Sequence, residues 1–388
     1  MLRRSVFRTT IAAACCALLA LGAAAQETVK IGLILPMTGP FASTGKQIAA
    51  AANLYVQLNG PMVAGRRVEI VLKDDTGVAD VTRRIAQELI VNDKVAVIAG
   101  FGLTPLALAT APLATQAKTP MVVMSAATSV ITERSPFIVR TSQVVPQIVV
   151  PFAEWTLKQN IKRVVTLVTD YGPGHDVEKW YSDTIKAGGG QVENVRVPLQ
   201  NPDFSPFLQR IADMKPEALL VFVPSGVGSQ FLKQFVERGM DKSGIRLLAT
   251  GDVTDDDLLN SVGDVAIGLV TAHHYSAAHD SPENKAFVEA FKRANSGLRP
   301  NFMAISGYDG IHAIYEGLKK SNGAGGEALV NAMKGLSWVS PRGPMSIDEQ
   351  TRDVVQNVYI RRVERVNGEL YNIEFETIPN VKDPAKGK

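Results

Sequence analysis

The feature that most limits how this chain can fold is a rhythm. From Val29 onward, short runs of almost wholly apolar residues alternate with longer amphipathic stretches. The runs are Val29–Leu35, Val68–Lys73, Val95–Ala99, Pro120–Met124, Val164–Thr169, Val192–Val197, Ala218–Val223, Arg246–Ala249 and Gly268–Ala272. A run that is apolar throughout belongs to a strand covered on both faces, and a repeat of about 25 to 30 residues is that of βαβ units in a parallel sheet. So many strands exceed one lobe, and the pattern predicts an α/β protein with two parallel sheets. Beyond Ala272 the rhythm changes. Helical stretches over Pro282–Ala294, Phe302–Lys320 and Gly326–Lys334 lead to a Gly/Pro/Ser cluster at Ser340–Pro344, then to a late run, Val354–Val366. One strand after several helices predicts that the chain returns to complete an earlier sheet. The last residues, from Asn380 to Lys388, read as a frayed polar tail.

The N-terminus obeys a different logic. Arg3, Arg4 and Arg8 precede the apolar run Ile11–Leu21 and then Ala23-Ala24-Ala25. A basic start, a short apolar stretch and a small-residue site make a cleavable secretory signal, residues 1–25, cut near Ala25/Gln26. The run is too short to cross a bilayer, which takes about 20 apolar residues. The arginine pair leaves both general secretion and twin-arginine export open. The whole chain carries 41 basic and 38 acidic residues, and its two cysteines are Cys15 and Cys16. All of the basic excess and both thiols lie in the leader. The exported chain is then formally neutral and cysteine-free, with no disulfide, Cys nucleophile or Cys metal ligand. Without a clustered basic face, nucleic acid is not an expected partner.

Catalytic signatures fail one after another. Gly226-Val227-Gly228 is followed by Phe231 where a dinucleotide loop needs a third glycine. Pro224-Ser225-Gly226 lacks the first glycine of a serine-nucleophile elbow, and no phosphate loop of the GxxxxGK[ST] type occurs. His273, His274 and His279-Asp280 form the best metal candidate, but adjacent residues of a strand point to opposite faces. His175-Asp176-Val177-Glu178 reads as the acidic opening of a helix, and Asp255–Asp257 as a solvated run. These readings predict a protein that is not an enzyme and uses no cofactor or metal, with a hydrolase built on Asp252 or His175 as the competing class.

What recurs is loop chemistry at strand ends. Val29–Leu35 runs into Pro36-Met37-Thr38-Gly39-Pro40-Phe41 and Val95–Ala99 into Gly100-Phe101-Gly102-Leu103-Thr104-Pro105, with Thr104 as N-cap; Pro120–Met124 runs into Ser125-Ala126-Ala127-Thr128-Ser129. Small residues let backbone N–H groups at helix N-termini approach an anion, and ligands of open parallel sheets bind outside the carboxyl ends of the strands. From the second half, Asp170-Tyr171-Gly172 and Gly251-Asp252 follow two more strands. Tyr171 and Asp252 offer a hydroxyl and a carboxylate to an ammonium or a ligand hydroxyl.

These residues together resemble a type I periplasmic solute-binding protein of an ABC importer, in the branched-chain amino acid-binding (Leu/Ile/Val-binding) family. The resemblance rests on Lys30-Ile31-Gly32, Pro36-Met37-Thr38-Gly39-Pro40 and Gly45, and on Leu58-Asn59-Gly60 with Gly65 before a strand ending Lys73-Asp74-Asp75. It continues through Ala99-Gly100, Ser125-Ala126-Ala127-Thr128, Asp170-Tyr171-Gly172-x-Gly174 and Tyr308-Asp309-Gly310. It implies two Rossmann-like lobes joined by three hinge crossovers, near Arg140–Gln143, His274–Ala277 and Ser340–Asp348. Lobe 1 is then 26–141 plus 277–345, lobe 2 is 142–276 plus 346–379, and 380–388 is the tail. It further implies a periplasmic monomer that delivers a small ligand to an inner-membrane ABC permease. A ligand carboxylate would sit on Gly102, Leu103, Thr104, Ala126, Ala127 and Thr128, an ammonium on Tyr171 and Asp252, and a side chain on Phe41 and Phe302. Phe101-Gly102-Leu103 replaces the family's Ser-rich loop and Asp252 its common Glu. These departures leave the ligand open: the resemblance implies a branched-chain or other apolar amino acid, with aromatic or other organic acids, or a sensing role, as alternatives.

Overall fold

The computed structural model describes residues 28–386, so the expected leader and its cleavage site lie outside the described residues. Two sheets organise them. The first contains β1 (Thr28–Leu35), β2 (Met62–Val63), β3 (Arg66–Asp74), β4 (Val97–Gly100), β5 (Met121–Val123) and β6 (Ile138–Arg140), in the order β2-β3-β1-β4-β5-β6. All its pairings are parallel except that of β2 with β3. The second is built on β7 (Arg163–Thr169), β8 (Gln191–Val197), β9 (Ala218–Phe222), β10 (Arg246–Thr250) and β11 (Val270–His273), parallel in the order β11-β10-β9-β7-β8. The apolar runs are these strands, and they are buried because helices cover both faces. Ile31, Leu33 and Ile34 of β1 and Leu219, Leu220 and Val221 of β9 have no exposed surface. The two-lobed α/β expectation therefore holds.

The chain leaves the first sheet after β6 and the second after β11. Helices Pro282–Ala294, Phe302–Lys320 and Gly326–Met333 then pack on the first lobe, with Phe287, Ile314 and Leu329 in its core. The return differs from the expected boundary at residue 346. β12 (Ser337–Ser340) and β13 (Gly343–Ile347) already form a hairpin, and β13 pairs with β14 (Val354–Val366) at the edge of the second sheet. The Gly/Pro/Ser cluster is the turn of that hairpin. Leu336 and Ile347 nevertheless pack in the first lobe's core, so the hairpin bridges both.

The C-terminal expectation needs a larger correction. β14 is not isolated: it pairs along its length with β15 (Glu369–Val381). Nor are residues 380–386 a frayed tail. Asp383 is buried and accepts a hydrogen bond from the Ser129 hydroxyl, while Lys386 pairs with Asp353. Asp353 also meets Arg140 at 3.0 Å, with both side chains buried. A buried carboxylate between two cations holds its place because removing either partner strands a charge away from water.

Candidate functional site

A cleft lies where the carboxyl ends of the two sheets face each other. Its walls carry Gly102, Leu103 and Thr104 after β4, Ser125, Ala126 and Ala127 after β5, Tyr171 and Pro173 after β7, and Asp252 after β10. Phe222, Pro224 and Ser225, at and beyond the end of β9, complete the second lobe's side, and Thr44, Gln143 and Met303 also contribute. About 370 Å³ of non-atom space, open solvent included, lies among them.

The loop after β4 owes its shape to Gly100, whose φ is +110°; a Cβ there would sit 2.3 Å from the Ile34 carbonyl oxygen. Phe101 follows with φ +67° and is fully buried, which turns the chain sharply into helix Thr104–Ala117. Leu103, not Thr104, occupies the N-cap, and no side chain caps this helix. Its positive end is therefore presented to the cleft. The Thr104 hydroxyl is instead 2.9 Å from that of Thr128, which ties the two first-lobe loops together. Ser125 Oγ donates to Gly102 O at 2.9 Å, and Ala126 N to Phe101 O at 3.0 Å, so these groups shape the loops.

The second lobe supplies a flat aromatic wall. The Tyr171 ring stacks on Phe222 with centroids 6.1 Å apart and an interplanar angle of 17°. Burial, followed by the nearby Asp252 carboxylate, pushes the Tyr171 hydroxyl well above its ordinary range, so it remains a neutral donor. Asp252 is 5% exposed; its Oδ2 accepts from Thr250 Oγ1 at 2.9 Å and lies 3.6 Å from His273 Nε2.

Three of the expected residues, Thr128, Phe41 and Phe302, are not among those that line the cleft. Phe41 packs in an apolar cluster with Leu103, Val227 and Val253. Phe302 stacks beneath the cleft, its centroid 4.1 Å from His273 and 5.8 Å from His274. The histidine pair also departs from expectation. β11 ends at His273, so His274 no longer alternates with it, and the two rings lie 4.5 Å apart. Burial drives His273 down to about 4 and His274 well below its ordinary value, which makes both neutral. Among the described residues no His/Cys/Asp/Glu group could hold a metal. Asp255 and Asp256 are buried, not solvated; Asp255 accepts from Ser225 Oγ at 2.7 Å and Gly226 N at 2.8 Å. His175 is far from a catalytic setting, being exposed and bound to Asp170 Oδ1 at 2.7 Å.

The lobes are held together at the cleft's edges. Asp257 of the second lobe accepts from Ser43 Oγ at 2.9 Å and from Asn301 Nδ2 at 2.8 Å, both of the first. Ser129 N donates to Asp176 Oδ2 at 3.0 Å, and Arg299 pairs with Glu369 at 3.1 Å. With Phe41, Leu103 and Leu106 of the first lobe in the second lobe's apolar cluster, this is a closed form.

Comparison with known proteins agrees with this architecture. The periplasmic binding protein family matches residues 28–369. A Leu/Ile/Val-binding protein homolog 6 of Brucella abortus (strain 2308) is 41% identical over 373 residues, covering 95% of this chain and 96% of its own. Among solved structures, a solute-binding protein of an ABC transporter from Rhodopseudomonas palustris BisB5, in complex with 3,4-dihydroxybenzoic acid, superposes with TM-score 0.91 at 60% identity. The match covers 93% of this chain and 99% of that one. Another, from Rhodopseudomonas palustris HaA2 in complex with p-hydroxybenzoic acid, reaches TM-score 0.90 at 40% identity, with the same coverage.

Proposed function

Because this chain belongs to the periplasmic binding protein family, we propose that it is the exported, monomeric solute-capturing component of an ABC importer whose ligand is a ring-hydroxylated aromatic carboxylate. The observation that carries the ligand class is the cleft's composition. Tyr171 and Phe222 stack as a flat wall, Pro173, Pro224, Leu103 and Met303 surround it, and one carboxylate, Asp252, projects from the second lobe. A flat aromatic wall of this kind suits the face of a planar ring. Its carboxylate meets the uncapped N-terminus of helix Thr104–Ala117 and the amide of Ala127, each favourable helix-end contact contributing about 0.3–1 kcal/mol. A ring hydroxyl donates to Asp252 and accepts from Tyr171. The 60% identical neighbour that holds 3,4-dihydroxybenzoic acid supports the same class.

The amino-acid alternative places an ammonium on Tyr171 and Asp252 and an aliphatic side chain on Phe41 and Phe302. Those two rings are packed elsewhere, which leaves it the weaker reading. A binding role, not catalysis, fits the buried Ser225–Asp255 pair. Burial pushes Asp255 well above the usual carboxylate range, which favours its protonated form and weighs against its acting as a base for Ser225. Among the described residues no helix is long and apolar enough to cross a membrane. On this reading capture precedes delivery to a separate inner-membrane permease, and closure around the hinge supplies the docking-competent form.

The test is a titration of the exported chain with benzoate, 4-hydroxybenzoate, 3,4-dihydroxybenzoate and leucine, followed by calorimetry and melting. A ligand at 100 times its Kd adds about 2.7 kcal/mol of stability. The hydroxybenzoates are expected to raise the melting temperature most. Stabilisation by leucine alone overturns the assignment.

A further inference from the structure

We infer that Gln143 is a ligand-contacting residue whose side-chain amide, held in place by His274, donates an N–H to an oxygen of the solute. This deepens the proposed function, on which the choice of probes rests.

Gln143 lies in the crossover that leaves the first sheet after β6, is 5% exposed and lines the cleft. Its Oε1 is 2.9 Å from Nδ1 of His274, a ring with no exposed surface. Burial keeps that imidazole neutral, so it carries one N–H. The position of the proton follows from the partners. His274 Nε2 is buried with no hydrogen-bond partner, and a proton there would be an unpaired donor away from water. A proton on Nδ1 is instead donated to Gln143 Oε1. The amide oxygen is thereby occupied, and the amide nitrogen diverges from it. Among the described residues no protein acceptor meets that nitrogen. A nearly buried donor facing the cleft without a partner is complementary to a ligand oxygen and unfavourable to a ligand lacking one. His274 is the positioning residue. It packs edge-on against Phe302 at 5.8 Å and beside His273 at 4.5 Å, so its ring is fixed by the hinge.

The experiment titrates Gln143→Leu and Gln143→Glu with benzoate, 4-hydroxybenzoate, 3,4-dihydroxybenzoate and leucine, and melts each variant without ligand. Loss of a hydrogen bond to a charged or hydroxyl oxygen is expected to weaken binding about 10- to 100-fold in Gln143→Leu. Where the oxygen is the ligand carboxylate's, Gln143→Glu is expected to lose more, because it sets a carboxylate against it while keeping the shape; where it is a ring hydroxyl, the glutamate accepts from it and Gln143→Leu alone loses affinity. Equal losses for all three aromatic acids assign the oxygen to the ligand carboxylate; losses confined to the hydroxylated acids assign it to the ring. Either supports the inference. Wild-type Kd values in both variants overturn it. If leucine alone binds the wild-type protein, the proposed ligand class fails. The same comparison made with leucine, whose carboxylate also accepts, then still decides the role of Gln143. His274→Phe is expected to give a smaller loss by freeing the amide to rotate.

Discussion

Gly172 opens a helix of the second lobe directly against the first. A Cβ at this position would lie 2.7 Å from Thr128 Oγ1 and 3.2 Å from Thr104 Cγ2. Those two threonines are bonded to each other, so neither hydroxyl can move aside without losing that bond. Gly172→Ala should therefore leave each lobe folded and oppose their approach. We expect about tenfold weaker binding, equivalent to about 1.4 kcal/mol against the closed form, with an unchanged melting temperature in the absence of ligand. Calorimetry on the variant checks this; an unchanged Kd would show that the contact relaxes freely. At this scale the sequence was informative wherever a residue follows a strand. Gly102, Leu103, Thr104, Ala126, Ala127, Tyr171 and Asp252 were reached by that rule and line or brace the cleft. Phe222, Pro224 and Ser225 obey the same rule after β9, but Ser225 drew attention only as a failed nucleophile motif. Gln143 carried no signal, since a polar residue in a crossover reads as linker until His274 is placed beside it. Phe41 and Phe302 came from resemblance alone, with no local pattern to test them.

The element that sequence reading handled least well is the one that closes the chain. β15 mixes apolar and polar residues, with Asn372 buried and Phe375 exposed, so it lacks the wholly apolar run of a buried parallel strand. Its extension, 382–386, looked like a tail because Lys382, Asp383 and Lys386 are charged; burial of Asp383 and Lys386 depends on partners far away in sequence. Asp353 is the centre of that arrangement. It pairs with Arg140 and Lys386 and accepts from Thr132 Oγ1 at 3.0 Å. Asp353→Ala leaves a buried guanidinium and a buried ammonium without their carboxylate, which should cost about 3–5 kcal/mol in urea unfolding. Removing residues 382–388 keeps the Arg140–Asp353 pair and should cost less, about 1–3 kcal/mol. Equal losses would mean that the segment, not the ion pair, holds the crossover.

For the molecule as a whole, closure brings a titrating group out of water. Asp176 stands on the second lobe and accepts the first lobe's Ser129 N–H. Burial pushes its carboxyl up to about 6, although that N–H and the Arg140 charge act to lower it; Asp383 raises it further and His175 lowers it. A solvated aspartate titrates at about 3.9. Between these values the closed form binds more protons than an open form in which Asp176 faces water. Closing then takes up a proton, and affinity rises as the pH falls through about 6; above it the advantage is lost. Melting temperature would not report this cleanly. Asp256, raised by burial to about 6, also favours the folded state at lower pH, whereas His273, lowered to about 4, makes stability rise with pH up to about 6.5. Ligand affinity isolates the group at the lobe contact. With those two Asp176 values, binding should tighten about fourfold from pH 7.5 to pH 5.5. Asp176→Asn retains an acceptor for Ser129 and carries no charge. It should bind at pH 7.5 at least as tightly as the wild-type protein and show no tightening at pH 5.5. Calorimetric titration of both proteins at the two pH values checks this, and a wild-type slope surviving in Asp176→Asn would move the proton to another group.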